Sequence, residues 1–293
     1  MSEHPDPEQP NRGSVAEAHG HGDPELLFRK SDSVGLAFKE SLGRFRPIAL
    51  HGRWLINSHP KSGTHLVRNI LGHFNWHAFY RPILFFDTFE PVLRGATSQF
   101  YAGHIPYAMF AVFDQIEDFN SVLLIRHPYA IALALARAFY DINTTRADHL
   151  QMREEFSFSE IVKRVICGYD CAGIRSSPLA KSLSEFTCEW LGQTPFTVKF
   201  EEIVARLKGP DYRLVAYLAP LLEGMYGAVP DDAAQRIRAG AAPAISVTFS
   251  RTRDAAAVRA RPADVPSLVP ATEARRLREI AVMLGYGKAT FAT

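Results

Sequence analysis

Residues 54–71, WLINSHPKSGTHLVRNIL, run from an apolar stretch through a Pro-Lys-Ser-Gly-Thr turn into a helical pattern. Trp54, Leu55 and Ile56 read as a short buried strand, and Leu66, Val67, Ile70, Leu71 and Phe74 recur at helical spacing. Between the two lie Ser62, Gly63 and Thr64, whose backbone N–H groups open a helix where its dipole favours an anion. Lys61 adds a mobile point charge. A strand, a phosphate-ready turn and a helix in this order mark a nucleotide-handling chain. The turn is not a Walker A loop. GxxxxGK[ST] places its lysine after the second glycine, and that pattern is absent from the chain.

The rest of the sequence extends the α/β theme. At 293 residues the chain is long enough for one large domain with a sizeable core. Apolar runs at 53–58, 98–103, 121–126 and 195–200 are predicted as strands. Helical patterns are predicted at 64–76, 128–141, 158–170, 178–192, 201–208, 211–225 and 271–284. Their alternation argues for a central parallel sheet covered on both faces, a three-layer α/β/α arrangement. Residues 1–24 are polar and rich in Pro, Gly, Glu and His, with no signal-peptide h-region and no amphipathic Arg-rich face. They read as a disordered tail, here taken to residue 30, with the folded domain over 31–293.

Net charge is +2, which excludes a global demand for nucleic acid or anionic membrane. The longest apolar stretch, AIALALA at 130–136, is too short to span a bilayer. Three cysteines, Cys167, Cys171 and Cys188, do not make a disulfide framework, so a reducing cytoplasm is expected. His73 and His77, spaced i, i+4 without an HExxH pattern, read as structural, and no metal is expected.

Placed on this map, the polar residues converge. Lys61 follows the first strand, His104 the second, Arg126 ends the third and Glu201 follows the fourth. Ligands of open parallel sheets bind at the carboxyl ends of the strands, so four segments would deliver polar groups to one edge. Singly, each residue has a plain structural reading: a surface lysine before a helix, a His-Ile-Pro turn, a salt-bridged strand-end arginine, a helix N-terminal acid.

The PKSGT order resembles the 5′-phosphosulfate loop of sulfotransferases that use PAPS (3′-phosphoadenosine 5′-phosphosulfate), and the resemblance covers roughly residues 45–290. His104 in YAGHIPY matches the family's catalytic histidine in order and in the nearby proline. Arg126 and Pro128 match its 3′-phosphate segment, and FTCEWLGQTPFTVKFEEIV at 186–204 its Trp-containing helix and following strand. The resemblance implies a P-loop nucleotide-kinase-like fold, with PAPS as co-substrate, no metal and a small-molecule acceptor. It leaves a homodimer open. It makes His104 the base and Lys61 the stabiliser of the leaving phosphate. It gives Lys61, Ser62, Gly63, Thr64, His65, Arg126 and Arg251 to the nucleotide. Phe79, Tyr80, Phe85 and Phe86 fall where the family's acceptor pockets form.

The sequence also departs from the pattern. Ala134 replaces a phosphate-binding serine, Leu66 a tryptophan, His65 a second hydroxyl residue, Phe200 a tyrosine, and Ala102 a second lysine of some members. The C-terminal basic segment survives only as TFSRTRD, with Arg251 and Arg253, and 239–270 is expected to form a mobile cover. Glu201 and Glu202 are expected to be scaffold. These departures keep two alternatives in view: a catalytically degenerate protein that binds nucleotide or a partner, and a kinase, which the missing Walker A pattern disfavours.

Overall fold

The structure is a computed structural model that describes residues 42–95, 98–113, 116–140, 145–250 and 259–287. The opening strand–turn–helix forms as read, β1 over Arg53–Ser58 and α1 over Thr64–Gly72. It is followed by β2 (Phe79–Phe85), α2 (Phe89–Arg94), β3 (Phe100–His104) and the short α3 (Tyr107–Phe110). Then come β4 (Phe119–Ile125), α4 (Pro128–Ala138), α5 (Ala147–Glu155) and α6 (Phe158–Cys167). A hairpin of β5 (Tyr169–Cys171) and β6 (Ile174–Ser176) leads to α7 (Leu179–Phe186). The last strand, β7 (Phe196–Lys199), runs straight into α8 (Phe200–Leu207), then α9 (Asp211–Tyr226) and α10 (Ala233–Ser250). The described chain closes with α11 (Val265–Leu268) and α12 (Ala271–Met283).

Five strands form one sheet in the order β2-β3-β1-β4-β7, and every neighbouring pair is parallel. Alternate residues of each strand point to opposite faces, and the two faces have separate cores. Leu55, Tyr101, Leu123 and Ile125 join the core under α4, α6, α7 and α12. Trp54, Ile56, Phe100, Val122 and Leu124 join the core under α1, α9 and α10. This is the expected three-layer α/β/α fold with a central parallel sheet. The α1–α10 crossing is tight, since a Cβ on Gly240 would stand 2.5 Å from Ile70 Cα.

Several boundaries differ from the sequence reading. β2 was not expected; it is an edge strand, the place in a sheet where a proline such as Pro82 is tolerated. His104 is the last residue of β3, not the residue after it, and Arg126 lies one past the end of β4. The helix expected at 178–192 stops at Phe186 and gives way to a 3₁₀ turn over Cys188–Trp190. The cover expected over 239–270 is instead helical for its first part, as α10 extends to Ser250. No helix among the described residues is long and apolar enough to cross a membrane.

Candidate active site

The loop from β1 to α1 turns back on itself by using the left-handed backbone region twice, at Lys61 (φ 68°) and Gly63 (φ 99°). A non-glycine residue held there costs about 1–2 kcal/mol, so the loop is strained at the lysine. The reversal lets Ser62 N–H reach the His59 carbonyl at 3.1 Å. It also points the start of α1, whose first N–H groups have no intrahelical acceptor, toward the sheet edge. Gly63 is required on two counts: its φ, and a Cβ there would overlap the Phe200 ring.

β3 lies beside β1, and the neighbouring pair Asn57 and Gly103 puts His104 against Ser58. His104 Nδ1–H donates to the Ser58 carbonyl at 2.8 Å. That bond fixes the tautomer, so the lone pair of the neutral ring is on Nε2. Burial, only partly offset by the bond to Ser58, pushes the His104 pKa below its ordinary value, with Lys61 adding to the push. The ring is therefore neutral at pH 7 and able to take a proton. The Phe85 ring lies 5.5 Å from it and is about half exposed, which leaves an apolar wall beside the histidine.

On the other side of β1, Arg126 Nη1 donates to the Lys61 carbonyl at 2.8 Å. Its guanidinium also lies over the Phe200 ring, 4.3 Å from the centroid. The Phe200 ring thus forms a floor between the glycine and the arginine. Two buried donors at this edge, Ser62 Oγ and Arg126 Nε, have no hydrogen-bond partner. Buried polar groups are almost always paired, so one orphan within the loop and one beside it fit an absent acceptor-rich group such as a phosphate.

The remaining predicted residues divide. The Thr64 hydroxyl is buried and shares a 2.6 Å hydrogen bond with Ser58 Oγ, so it is engaged within the protein. His65, at the second position of α1, is exposed, and Lys61 is exposed as well. Arg251 and Arg253 lie outside the described residues. Leu66 is in the core beneath α1, so no side chain at that position faces a ligand. Ala102 is fully buried inside β3. Glu201 is scaffold as expected: it accepts from the His127 backbone N–H at 3.0 Å and from Tyr286 Oη–H at 2.7 Å. Glu202 pairs with Arg206 along α8.

No family model matches the chain, and no curated protein matches it in sequence. Its structure, however, is similar to the crystal structure of mouse sulfotransferase SULT7A1 complexed with PAP, with a TM-score of 0.52 at 14% identity. The match covers 87% of this chain and 90% of that one. The chain has the sulfotransferase fold.

Within the sulfotransferase fold, the supports of the edge are residues that the sequence reading passed over. Asn57 is fully buried in β1 and holds Ile105, the residue after His104, from both sides. Its Nδ2 donates to the Ile105 carbonyl at 3.0 Å and its Oδ1 accepts from the Ile105 N–H at 2.9 Å. Trp190 Nε1–H donates to the same carbonyl at 2.9 Å. The signal for Asn57 was present, since an amide inside an apolar strand must find partners. Its partner was not, being 48 residues away. His59 is buried below the loop, donating from Nδ1 to the Pro60 carbonyl at 2.8 Å and sharing a 2.9 Å bond between Nε2 and Ser182 Oγ. Burial lowers its pKa from 6.5 to about 4. A cavity beyond Arg126 adds Arg137, Arg259 and Arg261, none of which the sequence reading had chosen.

Proposed function

We propose that the protein is a PAPS-dependent sulfotransferase that transfers a sulfuryl group to a hydroxyl or amine of a small-molecule acceptor. The observation that carries this reading is the pair of orphaned donors, Ser62 Oγ within the β1–α1 loop and Arg126 Nε beside it. The loop and Arg126 fit the two phosphate-bearing ends of PAPS, which when bound would supply the sulfuryl group and the leaving phosphate.

His104 Nε2 accepts the acceptor's proton, because Nδ1 is committed to Ser58. Lys61, the Ser62 hydroxyl and the first N–H groups of α1 neutralise the charge that builds on the departing phosphate oxygen. Arg126, aligned by the Lys61 carbonyl and the Phe200 ring, grips the far phosphate. The half-exposed Phe85 beside His104 offers an apolar face to the acceptor. A catalytically degenerate protein that binds nucleotide or a partner is the second reading, favoured by Ala102, which is fully buried in β3 and leaves that position without a second lysine.

A thermal-shift titration with PAP, with ATP as control, tests the site. A saturable rise in Tm with PAP and none with ATP is expected, and no shift at millimolar PAP refutes the reading. His104→Ala should abolish transfer yet bind PAP as the parent does. Because the His104 pKa is lowered in the free protein, the acid limb of kcat/KM against pH should lie below 6.5, the ordinary histidine value. Full turnover by His104→Ala removes it as the base.

A further inference from the structure

A second cavity, of about 230 Å³, opens toward the other end of the sheet from the loop. Phe119, in its wall, pairs with Arg53 at the start of β1, whereas the β1–α1 loop follows Ser58 at the end of that strand. About 17 Å of strand separates the two levels. The lining comes from α3, from the start of β4 with the 3₁₀ turn before it (Ile116–Asp118), and from the stretch between Trp190 and Gln193. Its floor is aromatic and its rim polar. Phe110, Phe119 and Trp190 are buried, Tyr107 is half-buried, and Glu117 and Gln193 are exposed.

The rings hold one another in place. Trp190 stacks on Phe110 with centroids 5.1 Å apart. Tyr107 meets Trp190 at 73° and Phe119 meets Phe110 at 73°, so the lining presents ring planes in two steep orientations. Trp190 Nε1–H is committed to the Ile105 carbonyl, and Tyr107 Oη–H donates to Gln193 Oε1 at 3.1 Å. Both bonds order the lining before a ligand arrives, which lowers the cost of binding.

Aromatic faces attract cations within about 6 Å of the ring centroid, tryptophan most strongly. One ring of this set already does so: the Arg53 guanidinium lies 4.1 Å over Phe119, with its charge met by Asp118 at 3.7 Å. The rim adds the Glu117 carboxylate. Asp114 and Gln115, which precede the 3₁₀ turn and lie outside the described residues, bring no positive charge in sequence. An anion is repelled by the rings and the acid alike, and a neutral apolar ligand leaves the acid unused. A primary ammonium is strongly hydrated, whereas a quaternary one is wrapped in methyl groups that gain from burial against the floor. The volume is about eight times the share of one water in the liquid, enough for such a head group and too little for a nucleotide.

We propose that this cavity binds a quaternary ammonium group, with Tyr107, Phe110 and Trp190 about the cation and Glu117 at the rim. The site shares no residue with the β1–α1 loop, His104 or Arg126, and it does not rest on sulfuryl transfer.

Choline and its neutral isostere 3,3-dimethylbutan-1-ol, titrated separately into the full chain at constant chloride and followed by the Trp190 Nε1–H resonance, test it. A saturable shift with choline is expected, at least tenfold tighter than with the isostere. Glu117→Gln should weaken choline at least threefold without a change in Tm, since the side chain is exposed, and should leave the isostere unaffected. Tyr107→Leu should lose at least tenfold in choline affinity. Tyr107→Phe keeps the ring and loses only the bond to Gln193, so it should stay within threefold of the parent. Glu154→Gln, which removes an exposed acid from α5 instead, should bind choline as the parent does. If Tyr107→Leu lowers Tm, Glu117→Gln decides. Equal affinity for choline and the isostere, no saturable shift at hundred-millimolar choline, or parental choline binding by Glu117→Gln overturns the inference.

Discussion

Protonation of His59 should make the loop's foundation fail in acid, by an amount that can be worked from its burial. The ring is 3% exposed and its pKa falls from 6.5 in an unfolded chain to about 4 in the native one, chiefly because burial penalises the charged form. The depressed folded pKa means that the unfolded state binds more protons between the two values. Its contribution is therefore whole above pH 6.5 and is lost as pH falls toward 4. From these two pKa values, linkage gives a loss of about 1 kcal/mol at pH 6, about 2 at pH 5 and about 3 at pH 4. Burial lowers the pKa of His65, His73, His104 and His127 as well, so the test is a difference. Urea unfolding of the parent and of His59→Gln should be followed at half-unit steps from pH 7.5 to pH 4. At pH 7 the variant should be the less stable by about 1 kcal/mol, for the altered bonds to Pro60 and Ser182. The two curves should then cross near pH 6, and at pH 4 the variant should be the more stable by about 2 kcal/mol. A parent-minus-variant difference that stays flat across this range would refute the claim that His59 is held neutral by burial.

Two further substitutions probe the geometry of the edge. Gly63→Ala places a side chain at a φ of 99° and against the Phe200 ring, so it should cost at least about 1–2 kcal/mol and lower PAP affinity more than tenfold. Unchanged PAP binding in a titration of that variant would mean that the loop does not contact the ligand. Asn57→Leu strips the Ile105 N–H of its acceptor inside the protein, which should cost about 2–4 kcal/mol in chemical denaturation. The same change should move the His104 ring resonances in NMR spectra, whereas Asn57→Asp, which keeps the acceptor, should recover part of both effects.

Where an interaction is local, the chain announces it. The turn at 60–64 is flanked at once by the strand and helix it joins, so apolar spacing alone located the loop, and a residue one step past a parallel strand falls at the ligand edge whatever else the chain does. Arg126 stands one step past β4, His104 ends β3 and Lys61 lies in the loop after β1, so all three were legible at that edge. β2 was hidden by Pro82, which argues against a strand until the strand is known to lie at the sheet's edge. The helix over Ala233–Ser250 was hidden by Gly240, a weak helix residue that is there because α1 passes too close for a side chain.

Sequence by itself thus determined the fold class, the loop between β1 and α1, and the strand ends at which Lys61, His104 and Arg126 stand, since each rests on neighbours within one helical turn or one strand. Tertiary structure decided the rest. It committed the Thr64 hydroxyl to Ser58, buried Leu66 away from any ligand, locked the His104 tautomer on a carbonyl 46 residues away, and brought Arg137 to the segment holding Arg259 and Arg261. Such pairings depend on where separate elements meet in space. That meeting is fixed by packing on the two faces of the sheet, and spacing along the chain does not encode it.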